Sequence, residues 1–132
     1  MLPDAIERER EVMLEDSIEW LRARGYDRFA AHDLPGYREP APVTSPILNV
    51  QMRPDLFASH DGMQPFVATV EPSTSLGEES CGRRWQALQS WAQTHGAELV
   101  VFVHPEDEVR ATWIADHWHL DRAIIAPLPR RH

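Results

Sequence analysis

Lysine is missing from this sequence. All 13 basic residues are arginine, against 21 aspartates and glutamates, for a net charge of −8. Proteins that hold nucleic acid non-specifically are usually basic, because neutralised phosphates supply most of that affinity. The overall balance therefore disfavours nucleic acid as a general partner. It leaves room for a local arginine patch or a metal-bridged contact. Cysteine is almost absent too: Cys81 stands alone, so no intrachain disulfide forms and a reducing, cytoplasmic location is expected. The N-terminal "MLPDAIEREREVMLED" is charged throughout and lacks the apolar centre of a signal peptide. No apolar run approaches the length of a membrane span. What is present is 42% apolar residues over 132 positions, enough for one packed domain spanning residues 1–132.

The apolar spacing predicts alternating helices and strands. Residues 3 to 24 read as a helix, with Leu14, Ile18 and Leu21 on the buried face and Gly25 as its stop. Glu7 and Arg10 fall near that same face. They form either an i, i+3 ion pair at the helix edge or, for Glu7, a side chain aimed at a site. "DRFAAHDL" reads as a first strand, and the four prolines of residues 35 to 46 make a connecting loop. "PILNVQMRPDLFAS" alternates, with Leu48, Val50 and Met52 on one face and Asn49, Gln51, Arg53 and Asp55 on the other. "HDGMQP" is a turn and "FVATVEP" the return strand, with Val67, Thr69 and Glu71 sharing a face. A second helix runs from about Glu78 to His95, carrying Cys81, Trp85, Leu88, Ala92 and His95 on one stripe. "AELVVFVHP" reads as a strand buried on both faces. Residues 106 to 120 suggest a third helix, with Val109, Trp113, His117 and Leu120 inward, and "AIIAPL" a last short strand. The expected fold class is α/β: a central mixed sheet flanked by helices, in the order α-β-β-β-α-β with an additional C-terminal helix and short strand.

Pro54-Asp55 at the end of one strand, Glu71 on the return strand and this element order together resemble the PD-(D/E)xK, or restriction-endonuclease-like, nuclease superfamily. The resemblance runs from residue 5 to about residue 120. The segments "RPDLFAS", "FVATVEPS", "RRWQALQSWA" and "LVVFVHP" are similar in order to a small prokaryotic branch of it. The resemblance implies a divalent-metal-dependent phosphodiesterase acting on nucleic acid. Mg²⁺ or Mn²⁺ would be held by Asp55 and Glu71, with Glu7 as a third carboxylate. Such an ion lowers the pKa of an attacking water and stabilises charge on the transferring phosphoryl group.

The sequence departs from the family at one place, because the lysine two residues after the acid is missing. Two registers remain open. In one, Glu71 is the acid and Ser73 stands for the lysine; in the other, Thr69 stands for the acid and Glu71 for the lysine. An arginine can supply the positive charge but not a general base, since it stays protonated. Arg84 on the inner stripe of the second helix is the candidate, with Arg53 beside the Pro-Asp. The candidate catalytic set is therefore Asp55, Glu71 and Arg84. The plainer readings are an Asx-type cap for Asp55, a solvated residue for Glu71 and a surface salt bridge for Arg84.

"DHWHLD" does not chelate a metal on a helix, where His117 and His119 diverge. Trp85 and Trp113 read as core, while Trp20 and Trp118 mark a contact surface such as a homodimer interface. Two functions follow. One is a weak or specialised metal-dependent nuclease. The other is a catalytically inactive nuclease-fold binding or assembly module.

Overall fold

The computed structural model describes residues 3–45 and 49–129, with side chains from Ala5 onward. In chain order the elements are helix α1 (Pro3–Arg22) and strands β1 (Arg28–Ala31), β2 (Val43–Thr44), β3 (Gln51–Met52), β4 (Leu56–Ser59) and β5 (Phe66–Glu71). Helix α2 (Glu78–Thr94), strand β6 (Glu98–Val103), helix α3 (Glu108–His117) and strand β7 (Ile125–Pro127) follow. The main sheet has five strands in the order β1-β4-β5-β6-β7. Strands β1, β4 and β5 form an antiparallel meander, and β6 and β7 add in parallel. The parallel β5–β6 pair needs a crossover, which α2 supplies.

Side-chain alternation sorts the core into two layers. Ala68 and Val70 of β5, with Val100 and Phe102 of β6, pack against Met13, Leu14, Ile18 and Leu21 of α1. Val67, Leu99, Val101 and Val103 point the other way, into Cys81, Trp85 and Leu88 of α2 and Ala111 and Ile114 of α3. β6 is buried on both faces, as its unbroken apolar run requires. Gly25, at φ +99°, ends α1 in the left-handed conformation that favours glycine.

Several expectations are corrected. Residues 49–59, the described part of the alternating segment, are not one strand. Asn49 has φ +52°, and Pro54 has no N–H to give a ladder, so β3 and β4 belong to different sheets. β3 instead pairs with β2 inside the proline-rich loop. Leu48 lies outside the described residues. The third helix is turned the other way: Ala111, Ile114 and Ala115 face inward, while Val109 is 83% and Trp113 56% exposed. His117 stacks on Trp113 in solvent instead of packing inward. His95 is likewise exposed, stacked on Trp91. Trp20 and Trp118 are partly buried against the two core layers. Trp20 meets Phe102 edge-on at 5.2 Å, and Trp118 lies on Gly82 of α2.

Candidate functional site

The register of the meander decides which side chains meet. Leu56 lies opposite Ala68, and the Asp55 N–H donates to the Ala68 carbonyl, so the chain brings Asp55 alongside Thr69. Glu71 stands two residues further along β5, on the same face. The Thr69 hydroxyl donates to Asp55 Oδ2 at 2.7 Å and lies 3.4 Å from Glu71 Oε2. One hydroxyl therefore spans both carboxyl groups, and of the two registers the pairing sets Thr69, not Glu71, beside Asp55.

Both acids are buried, Asp55 to 4% exposure and Glu71 to 2%. Asp55 sits where the β4 ladder stops. Its Oδ2 accepts the Val70 N–H at 3.0 Å, a bond that β4 would otherwise have supplied. Asp55 therefore caps the neighbouring strand β5 and not its own local backbone as an Asx-type cap would. Two arginines complete its shell. Arg10 of α1 donates from Nη2 to Oδ1 at 2.6 Å and from Nη1 to the His32 carbonyl at 3.1 Å. Arg84 of α2 donates from Nη2 to Oδ2 at 2.8 Å. Helices on opposite faces of the sheet thus clamp one carboxylate between two guanidinium groups.

Glu71 is not a solvated residue before a turn. The Trp85 indole N–H donates to its Oε2 at 2.8 Å, and Ser75 Oγ donates to its Oε1 at 3.1 Å. Consecutive residues of α2, Arg84 and Trp85, therefore serve the two acids in turn. The environments drive the acids apart. Burial pushes Asp55 up, but the charges of Arg84 and Arg10 and the hydrogen bonds from Arg10 and Thr69 outweigh it and hold the carboxyl below its ordinary value. Burial raises Glu71, with the Asp55 charge adding to it, and Arg84 and Trp85 only partly oppose the rise.

Above this pair lies an open cleft of about 1230 Å³. Its lining includes Arg10, Arg53, Arg83 and Arg84, with Asp55 as the sole acid among the described residues that line it. A chain of net charge −8 thus gathers four arginines in one concavity. Compared with family models, curated proteins and solved structures, the chain matches none.

The remaining predicted residues fall as follows. Glu7 is exposed, makes no ion pair among the described residues and does not line the cleft. Arg53 lines the cleft and sits 3.3 Å from Glu39 Oε1, apart from Asp55. Glu39 also meets His32 Nδ1 at 2.6 Å, and His32 Nε2 lies 3.3 Å from Asp33. His32, Asp33 and Glu39 are the one group of at least three potential metal ligands among the described residues. Cys81 is buried, with its thiol pushed up to about 11 by burial, so it is an inert core group.

Sequence reasoning missed Arg10 as the second clamp and Trp85 as the donor to Glu71. The signal for Arg10 was its place one turn ahead of Leu14 on the buried stripe. No signal marked the Trp85 indole, since a core tryptophan and a hydrogen-bonding one have the same spacing.

Proposed function

We propose that this chain is a nuclease-fold protein of the PD-(D/E)xK type that binds phosphodiester strands in its arginine-lined cleft without hydrolysing them. The fold supports the type: a leading helix, a three-strand meander, a crossover helix and a parallel fourth strand follow the order that the resemblance implies. The observation that carries the non-catalytic reading is the Arg10–Asp55–Arg84 clamp. A carboxylate has about four lone-pair sites, two on each oxygen. Asp55 Oδ2, the oxygen linked to Glu71 through Thr69, already accepts from Thr69, Val70 and Arg84. A Mg²⁺ or Mn²⁺ ion shared by the two acids would need that oxygen and would stand against guanidinium charge. The residues present do not fit such an ion while Arg84 is in place. They suit a ligand that brings negative charge to arginine, which recognises phosphate bidentately.

The nuclease reading keeps one observation in its favour, the convergence of Asp55 and Glu71 on a single hydroxyl. A labelled oligonucleotide separates the two. Fluorescence anisotropy in EDTA is expected to show binding that added Mg²⁺ or Mn²⁺ does not strengthen, and gels no cleavage. Metal-dependent cutting that disappears in both Asp55→Ala and Glu71→Ala would establish the nuclease instead. Failure to bind any oligonucleotide at low salt would end the nucleic-acid reading.

A further inference from the structure

We infer that the guanidinium of Arg84 is the resident cation of this site, holding the Asp55 oxygen that a divalent metal would otherwise take. The inference deepens the binding reading above and rests on it.

Three donors reach Asp55 Oδ2, and they are not equivalent. The Val70 N–H belongs to the β5 backbone and cannot leave without breaking the sheet, whereas the Thr69 hydroxyl can turn its proton to Glu71 Oε2, 3.4 Å away. Arg84 comes from α2 and lines the cleft, with its side chain 34% exposed. Its removal, with the Thr69 hydroxyl turned to Glu71, leaves one lone pair of Oδ2 open toward the cleft. Arg10 holds the other oxygen, so the clamp is asymmetric. Arg84 also acts on both acids, bonding Asp55 directly and drawing Glu71 down by its charge. Its neighbour Trp85 fixes Glu71 at 2.8 Å, so one turn of α2 registers the cation against the pair.

Charge balance supports the assignment. Asp55 and Glu71 with Arg10 and Arg84 sum to a net charge of about zero when all four are ionised, so the two arginines already balance the two acids. A shared divalent ion would add two more positive charges beside two guanidinium groups. In place of the metal, Arg84 keeps donors in reserve. A guanidinium has five N–H groups, and among the described residues Arg84 is hydrogen-bonded through Nη2 alone. Those left over are the ones to meet a phosphate entering the cleft.

The test is competition by deletion, read with Mn²⁺ alone and no nucleic acid. Calorimetry and Mn²⁺ electron paramagnetic resonance on the wild-type chain are expected to show no specific binding at millimolar metal. Arg84→Ala is expected to gain Mn²⁺ affinity by about tenfold or more, because a guanidinium charge is removed and, with the Thr69 hydroxyl turned to Glu71, one lone pair of Oδ2 is open. Adding Glu71→Gln to that variant is expected to abolish the gain. Arg84→Met, which keeps the length of the buried stem, guards against loss of fold and is expected to show the same gain. Circular dichroism confirms that each variant is folded. Wild-type chain that binds Mn²⁺ as tightly as the variants overturns the inference. So does a folded Arg84→Met chain that binds none. Neither result depends on whether an oligonucleotide binds, so the two proposals can fail separately.

Discussion

At the residue scale, Asp55 and Glu71 stand one hydroxyl apart and respond to pH in opposite senses. Asp55 is held below its ordinary value, so its contribution to stability is complete above the unfolded carboxyl range, at about pH 4. That contribution is lost as pH falls through the lower folded value. Glu71 is raised, so its favourable contribution is complete below that range and is lost as pH rises through the folded value. Asp55→Asn leaves Arg84 and Arg10 without their countercharge and is expected to cost ~3 to 5 kcal/mol, the usual penalty for breaking a buried pair. Glu71→Gln keeps an acceptor for Trp85 and removes a buried charge. Urea unfolding should find it gaining on the wild type as the pH rises from about 4, where the unfolded carboxyl ionises, toward the raised folded value. A stability difference that does not change over that interval would contradict the assignment. Asp55 and Glu71 were legible as a pair through the family resemblance, while the strand register that turns them to one face was left open by the sequence. Arg10 was not, because an i, i+3 partner in Glu7 offers a cheaper local explanation. The buried Asp55 charge, invisible in sequence, outbids it.

At the scale of elements, helices α1 and α2 were readable from their apolar stripes, and α3 was not. Val109, Trp113 and His117 repeat at the helical period, so their size argued for an inward face. The helix instead turns Ala111 and Ala115 inward with Ile114, and small residues let it approach α2 and β7 closely. Packing distance overrode hydrophobic bulk. The same closeness governs α2. A Cβ on Gly82 would lie 2.2 Å from the Trp118 ring, whose indole N–H is tied to Glu78 at 2.9 Å. Alanine ordinarily favours a helix over glycine by about 1 kcal/mol. Gly82→Ala should reverse that sign and destabilise by about 1 to 3 kcal/mol, because a planar ring has nowhere to retreat. Urea denaturation followed by far-ultraviolet circular dichroism measures it. A stabilised variant would mean that Trp118 does not rest on α2.

At the scale of the whole molecule, net charge and local charge point in opposite directions. Negative charge of −8 keeps polyanions away at long range, while the cleft draws them in at short range. Oligonucleotide affinity should therefore fall steeply as salt is added. Arg53→Ala and Arg83→Ala should each reduce the slope of log affinity against log salt by about 1. Anisotropy titrations over a range of salt concentrations check this, and slopes equal to wild type would remove these arginines from the contact surface. Sequence carried the layers, the crossover and the acids. It could not carry the cleft, whose wall includes Gln51 and Met52 of β3 and the adjoining Arg53, from the segment expected to run unbroken into β4. No described helix is long and apolar enough to cross a membrane.

The bond from the Val70 N–H to Asp55 gives the clamp a spectroscopic handle. Most sheet amides donate to a neighbouring carbonyl, whose charge does not change with pH; this one donates to an ionisable group. Its proton resonance should move as Asp55 titrates, and its deuterium exchange should accelerate in acid before that of β6 does. A single nuclear magnetic resonance peak would then report when the two helices let go of the sheet.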